Sequence, residues 1–179
     1  MILTGPEIAT AAADGRLLIT PFDTAQVNPN SYNVRLGPAL LTYTTSVLDA
    51  HRPNPTRRIE IGADGYVLKP GQLYLGHTVE EVGSDTYVPL LFGRSSVGRL
   101  GLFVEITAPI GDIGFHGQWT LMLSPIRPLR VYAGMKIGQI MFFVAVGPIA
   151  SYSGKYQAAT GPKPSAYWQD LAPLEAVAP

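Results

Sequence analysis

Turn-forming residues recur along the whole chain and restrict it to short elements of secondary structure. The 179 residues include 19 Gly and 16 Pro, which are spread through the sequence and not gathered in one linker. Between them lie runs rich in β-branched and aromatic residues, a texture that favours many strands joined by turns. Runs at such intervals are typical of a β-barrel or a double-sheet jelly roll. We predict strands within residues 31–36, 40–45, 66–68, 72–79, 87–92, 102–107, 119–123 and 136–146.

A single helix is predicted, at the start of the chain. Thr4 stands at an N-cap position, Pro6 and Glu7 fall in the first turn, and an Ala-rich run follows. The pair Asp14-Gly15 is a typical helix ending. The expected fold class is therefore all-β, a distorted barrel or jelly roll with one short N-terminal helix.

The composition is that of one compact domain and excludes several classes of function. The chain is 46% hydrophobic and 15% charged, which makes disorder improbable except at the ends. Its 13 Lys and Arg balance 13 Asp and Glu, so there is no basic field for binding nucleic acid. The absence of cysteine excludes disulfides, a thiolate nucleophile and a Cys-bound metal.

The chain is expected to be cytoplasmic, with no membrane association. No run approaches the roughly 18 apolar residues of a membrane helix, and acidic residues interrupt the N-terminal apolar stretch. Residues 1–150 should form the β domain. Residues 151–179 should form a tail, which is rich in Gly, Pro and Ser but also in Tyr and Trp and is therefore expected to dock. The polar stretch 49–58 is interpreted as an exposed loop.

Two polar clusters stand between the predicted strands. The first contains Arg94, Ser95, Ser96 and Arg99, whose guanidinium and hydroxyl groups suit an anion site, although two solvated arginines on a turn would give the same pattern. In the second, Asp112 is flanked by glycines and apolar residues, which suits either an acid held beside a ligand or a turn cap. No metal ligand is assigned among the three histidines, at positions 51, 77 and 116.

Six sequence motifs follow one another along the chain. The central one is GRSSVGRLGLFVEITAPIGDIGFHGQWTL at 93–121. The others are DGRLLITPFD at 14–23, NPNSYNVRLG at 28–37, LKPGQLYLGHTVE at 68–80, YAGMKIGQI at 132–140 and SGKYQAATGPKPS at 153–165. In this order, and over about residues 1–170, they resemble the dCTP deaminase family, which belongs to the superfamily of the trimeric dUTPases.

The resemblance implies a dUTPase-like β-barrel subunit, a homotrimer with active sites between subunits, and a C-terminal tail that closes over a nucleoside triphosphate with Mg²⁺. Asp112 matches the aspartate beneath the deoxyribose, which in dUTPases orients the attacking water, and Ser95 would help to place a water. The catalytic residues so implied are Asp112, Ser95 and Arg99. The implied contacts to substrate are Arg94, Ser95, Ser96 and Arg99 at the phosphates, the backbone of Ala108, Thr120, Leu121 and Met122 at the pyrimidine, Asp112 at the sugar, and Tyr152 and Lys155 from the tail.

Four positions depart from the pattern of the family that the chain resembles, and one of them is Ala159, where related sequences often have Gln or Asn. Members of the dCTP deaminase family normally read TLE where this chain reads Thr120-Leu121-Met122, and their glutamate shuttles the proton during deamination. A methionine cannot do so, and loss of a positioned acid or base costs on the order of 10²–10⁴-fold in rate. Glu105 replaces a histidine, and Pro109 replaces a glycine and removes a backbone donor.

Three functions remain open from the sequence. The first is hydrolysis of a pyrimidine nucleoside triphosphate to the monophosphate and pyrophosphate through Asp112. The second is deamination of dCTP or a modified cytidine nucleotide, with Glu105 or a chain of waters in place of the missing glutamate. The third is a catalytically silent, nucleotide-binding trimer.

Overall fold

The computed structural model describes residues 1–171, which are mainly β-structure. Helix α1 spans Gly5–Ala13, α2 is the single turn Ser95–Gly98, and 3₁₀ turns lie at Thr24–Gln26 and Tyr167–Asp170. The strands of this described part are β1 Leu18–Thr20, β2 Tyr32–Arg35, β3 Ala39–Tyr43, β4 Thr56–Glu60, β5 Tyr66–Leu68, β6 Tyr74–Gly83, β7 Tyr87–Gly93, β8 Leu102–Phe103, β9 His116–Pro125, β10 Leu129–Val131 and β11 Lys136–Val144.

The strands form antiparallel sheets around one core. The largest has the order β4-β3-β6-β9-β8, with β1 also paired to β6; a second has the order β2-β11-β7, and β10 pairs with β5. Tyr32, Tyr74, Leu121 and Phe142 are fully buried in the core. The predicted all-β class is confirmed, whereas the hydrogen bonds within residues 1–171 leave the sheets separate and close no barrel.

The predicted N-terminal helix is confirmed. Thr4 stands at the N-cap in an extended conformation, although its side chain makes no capping hydrogen bond. Ile8 and Ala11, three positions apart on one helix face, are fully buried against the sheets. Burial of this face therefore holds a helix of only nine residues, a length that is marginal in isolation.

Two of the strand and loop predictions are wrong in part. The strand predicted at 102–107 ends at Phe103, and the following chain turns back through a contact from the Glu105 carboxylate to the Ala108 backbone N–H. The loop predicted at 49–58 gives way to β4 at Thr56, because β4 pairs with β3 and buries Ile59.

The last described strand ends at Val144, just before the predicted start of the tail. The division into a domain and a tail stays a prediction, and residues 172–179 of that tail lie outside the described part. Within residues 1–171, no helix has the length and apolar character required to cross a membrane.

Candidate active site

A cavity of about 950 Å³ opens between β9, the segment that precedes it, and the tail. Six of the residues predicted to form the site line this cavity: Ala108, Asp112, Thr120, Met122, Tyr152 and Lys155. The structure thus brings together residues that stand up to 47 positions apart. Their roles in binding or catalysis stay predictions.

Strand β9 forms one wall of the cavity. Its residues alternate between buried and half-exposed, so that Gln118, Thr120 and Met122 share the face toward the cavity. Leu121 points the other way and is fully buried in the core, so its side chain does not line the cavity. Only its backbone could serve the predicted pyrimidine contact.

Packed aromatic rings hold the segment between β7 and β9 in place. Phe115 lies edge-on to Trp119, with ring centroids 5.9 Å apart, and edge-on to Tyr152 of the tail at 6.0 Å. The Trp119 indole N–H donates to the Val82 carbonyl at 3.1 Å, which fixes the ring. Gly111 packs so closely on this indole that a Cβ there would lie 2.1 Å from it, so only glycine fits.

Asp112 is presented by a loop that is anchored on both sides. The Gly111 N–H donates to the Pro89 carbonyl at 2.8 Å, and the Gly114 N–H donates to the Ser84 carbonyl at 2.7 Å. The Asp112 carboxylate makes no hydrogen bond or ion pair with any other described residue and lines the cavity. It is therefore free to accept hydrogen bonds from a ligand or a water.

The tail runs beside β9 and closes the cavity of its own chain. The Ala158 N–H donates to the His116 carbonyl at 3.0 Å, and the Gln118 N–H donates to the Ala159 carbonyl at 2.8 Å. Further along, the Lys163 N–H donates to the Thr120 hydroxyl at 3.0 Å. A Cβ on Gly117 would lie 2.8 Å from the Ala159 nitrogen, so the tail can approach this closely only at a glycine.

Tyrosine hydroxyls and one ion pair hold the tail over the cavity. The hydroxyls of Tyr43, Tyr152 and Tyr156 each accept a hydrogen bond from a tail N–H, at 2.9 to 3.1 Å. Lys155 donates to the Asp170 carboxylate, and this hydrogen bond raises the pKa of Lys155 above its usual range. Both charged groups of the pair line the cavity.

The other predicted site residues lie elsewhere. Ser95 and Ser96 lie in α2, Arg94 and Arg99 flank it, and none of the four lines the cavity. Their side chains make no hydrogen bond or ion pair within the described part of the chain, and all except the half-buried Arg94 are exposed. Beside them is an exposed apolar patch, which consists of Leu100, Phe103 and Ile126.

Glu105 has a local task in this structure. Its carboxylate accepts a hydrogen bond from the Ala108 backbone N–H and does not line the cavity. From the sequence alone, Glu105 could reach the pocket in place of a glutamate at position 122. Within the described chain it caps the turn beside the pocket.

Several lining residues were missed by the sequence analysis, namely Tyr43, Leu73, Leu75, Gln118, Lys163 and Asp170. Leu75 is the cross-strand partner of Met122, and Tyr43 lies on β3, next in the sheet to β6. The order and register of the strands bring these side chains to the cavity. A local sequence pattern does not specify either of them. For Asp170 a signal existed, since it is the one acidic residue of the aromatic tail segment 151–170.

Comparison with known proteins matches the fold to a solved structure and the sequence to a family. The fold matches the crystal structure of 2'-deoxycytidine 5'-triphosphate deaminase from Agrobacterium tumefaciens with a TM-score of 0.65 at 24% identity, over 80% of this chain and 48% of that one. The chain spans about half of that longer chain. A family model described as dCTP deaminase-like matches residues 2–145. The chain belongs to the dCTP deaminase-like family of enzymes.

Two curated relatives match nearly the whole chain. The chain is 49% identical over 172 residues to "dCTP deaminase, dUMP-forming" of Leptospira biflexa, over 96% of this chain and 98% of the relative. It is 46% identical to the protein of the same description in Clostridium acetobutylicum, over 96% of this chain and 99% of the relative.

Proposed function

We propose that this protein hydrolyses a pyrimidine deoxynucleoside triphosphate to the monophosphate and pyrophosphate. One observation carries the proposal: the Asp112 carboxylate lines the cavity without a hydrogen-bond or ion-pair partner among residues 1–171, while the position expected to hold the deaminating glutamate is Met122. The cavity therefore retains an acceptor for a water and, at position 122, has no group that can transfer a proton.

The description of the relatives supports a phosphate-releasing step. Forming dUMP from dCTP requires two hydrolyses, since one water replaces the amino group of the base and another releases two phosphates. In the family that this chain resembles, a glutamate serves the deamination step. This chain has Met122 at that position. It keeps Asp112 for the second step, and Glu105 is engaged with the Ala108 N–H. We infer that the second hydrolysis is the one retained.

In the proposed reaction, Asp112 orients a water and accepts its proton as the water oxygen bonds to the α-phosphorus. The bond from the α-phosphorus to the oxygen bridging to the β-phosphorus breaks, and pyrophosphate leaves. Lys155 lies in the same cavity and offsets the negative charge of the phosphates. Asp170 must release Lys155 for this contact to form, because the two are paired in the structure.

Mg²⁺ is proposed to accompany the triphosphate. Residues 1–171 contain no cluster of three or more His, Cys, Asp or Glu side chains that could hold a metal, so the phosphates themselves would supply most of its ligands. The ion would neutralise phosphate charge. Asp112, a lining carboxylate that has no partner among the described residues, would contact the hydration shell of the ion.

We also propose that the chain assembles as a homotrimer in which α2 of one subunit meets the cavity of another. The exposed Ser95, Ser96 and Arg99, together with Arg94, would then contact the phosphates. The adjoining apolar patch of Leu100, Phe103 and Ile126 would be covered by the neighbouring subunit. Light scattering should give three times the 19.2 kDa mass of one chain, and a monomer would contradict the shared site.

Release of pyrophosphate tests the proposed function. Purified protein with Mg²⁺ is incubated with dCTP, dUTP, dTTP, CTP and UTP, and pyrophosphate is measured with a coupled assay. Asp112→Asn should lower the rate by about 10²–10⁴-fold, because the asparagine cannot accept the proton from water. Asp64→Asn, which changes an exposed carboxylate outside the cavity, should leave the rate unchanged. Equal rates for the wild type and Asp112→Asn would refute the proposal.

A further inference from the structure

The floor of the cavity at position 122 is apolar. Met122 lies directly opposite Leu75 of β6 in the antiparallel register, so the two side chains share one face of the sheet. Leu73 is two positions from Leu75 and also lines the cavity. We call these three residues the apolar floor.

The backbone holds the apolar floor in a fixed position. Met122 pairs with β6 on one side, and on the other its N–H donates to the Val104 carbonyl at 3.0 Å. Leu75 is only 5% exposed. A ligand edge that reaches position 122 therefore meets packed hydrocarbon and a thioether, with little scope for the strand to move away.

The polar side chains beside the apolar floor are engaged by β6 and by the tail. The Gln118 amide donates to the Val79 carbonyl at 3.1 Å and accepts from the Gly161 N–H at 2.6 Å. The Thr120 hydroxyl accepts from the Lys163 N–H. A polar substituent pressed onto the side chains of Met122, Leu75 and Leu73 would lose its water against groups that offer no strong hydrogen bond, which is unfavourable, whereas an alkyl group would be favoured there.

We propose that Met122 is a specificity-determining residue, and that the apolar floor selects a pyrimidine nucleotide whose ring edge carries an alkyl group over the same nucleotide without it. This inference rests on the proposed function, which puts a pyrimidine nucleotide in the cavity. One added methyl in a fitting apolar pocket changes affinity by roughly 10-fold or more.

Binding of nucleotides that cannot be hydrolysed tests the inference. Calorimetry with Mg²⁺ compares the α,β-imido forms of dUTP and 5-methyl-dUTP, and of dCTP and N4-methyl-dCTP. At least one alkylated form should bind about 10-fold tighter than its parent. Met122→Leu keeps the floor apolar and should keep this preference. Met122→Gln has a similar length and a polar end, and should reduce the preference to within about twofold.

Equal affinities within both pairs of nucleotides would overturn the inference, and so would a preference that survives in Met122→Gln. Failure to bind any of the four would overturn it as well. Thermal unfolding of both variants checks that the fold is retained. Met122→Leu is the control, because it changes the same position and keeps the floor apolar. Because binding is measured without turnover, equal affinities leave the hydrolysis proposal standing, and that proposal is decided separately by pyrophosphate release.

Discussion

The predicted site has two halves, the cavity and the cluster of polar residues at α2. Within the described residues, a single chain holds the first in place by its own hydrogen bonds but not the second. In the cavity half, the tail, β9 and the Asp112 loop are joined by backbone hydrogen bonds, and three tyrosine hydroxyls accept N–H groups of the tail. In the α2 half, the side chains of Arg94, Ser95, Ser96 and Arg99 make no contact of this kind within the described residues.

This difference indicates which parts of the site need a partner. Polar groups that a chain satisfies by itself are positioned before any ligand arrives. The exposed Ser95, Ser96 and Arg99, beside the exposed Leu100, Phe103 and Ile126, would be positioned by a subunit that covers the patch. The account therefore assigns the cavity to one subunit and the α2 cluster to its neighbour.

The largest expected effect comes from mixing two inactive variants. Asp112→Asn damages the cavity half and Arg99→Ala the α2 half, and each alone should lower hydrolysis by on the order of 10²-fold or more. Co-expressed in equal amounts with different tags, they should restore about a quarter of the sites, because random trimers pair one intact half from each chain. Failure to restore activity would contradict the assignment of the two halves to different subunits.

A large effect is also expected where the tail meets β9. Gly117→Ala puts a Cβ where the Ala159 backbone now lies, which should loosen the tail, speed tryptic cleavage at 151–171, and weaken nucleotide binding about 10-fold. Gly62→Ala is the matched control, because nothing lies within 4 Å of the added Cβ. Unchanged proteolysis and affinity in Gly117→Ala would show that the tail does not depend on this contact.

A smaller effect is expected at the ion pair over the cavity. Asp170→Asn removes the carboxylate that competes with phosphate for Lys155, so pyrophosphate should bind about two- to fivefold tighter near neutral pH. The same change lowers the pKa of Lys155 toward its ordinary value, so binding should weaken at a lower pH than in the wild type. Titration calorimetry across pH measures both. Asp49→Asn, in a surface ion pair with Arg52, should change neither.

The smallest effect on activity is expected at the support beneath the cavity, where the change is one of stability. His77 pairs with Thr120 across β6 and β9, and burial lowers its pKa below the ordinary 6.5. Below that pH the unfolded chain takes up a proton that the folded chain refuses, so stability falls as pH drops, by at most about 1.4 kcal/mol per pH unit. Urea unfolding at pH 7.5 and 5.0 should show a smaller difference in His77→Gln. His51→Gln, on an exposed loop, should behave as the wild type.

Local sequence signals predicted much of the fold. The Ala-rich start predicted the helix because capping signals and turn-forming endings are local, and the apolar run 119–123 predicted half of β9. The same reasoning overextended β8, because it could not foresee that the Glu105 side chain would bond to the Ala108 backbone. It missed β4 in part, since a strand rich in arginine forms only through pairing with β3.

The candidate site was less predictable than the fold. Motif resemblance selected Asp112, Met122 and Lys155, and all three line one cavity. Leu75 and Tyr43 escaped notice because their proximity to Met122 depends on strand order and register, which no single segment specifies. The sequence also could not show that the cavity half and the α2 half are separated within one chain.

The base carried by the product tests the central claim most directly. Wild-type protein with Mg²⁺ is incubated with dCTP and, separately, with dUTP, and the products are separated by ion exchange and identified by mass. The account predicts pyrophosphate and a monophosphate that keeps the base of its triphosphate, so that any dCTP consumed yields dCMP. Uracil nucleotides formed from dCTP would contradict it, because deamination would then proceed with methionine at position 122.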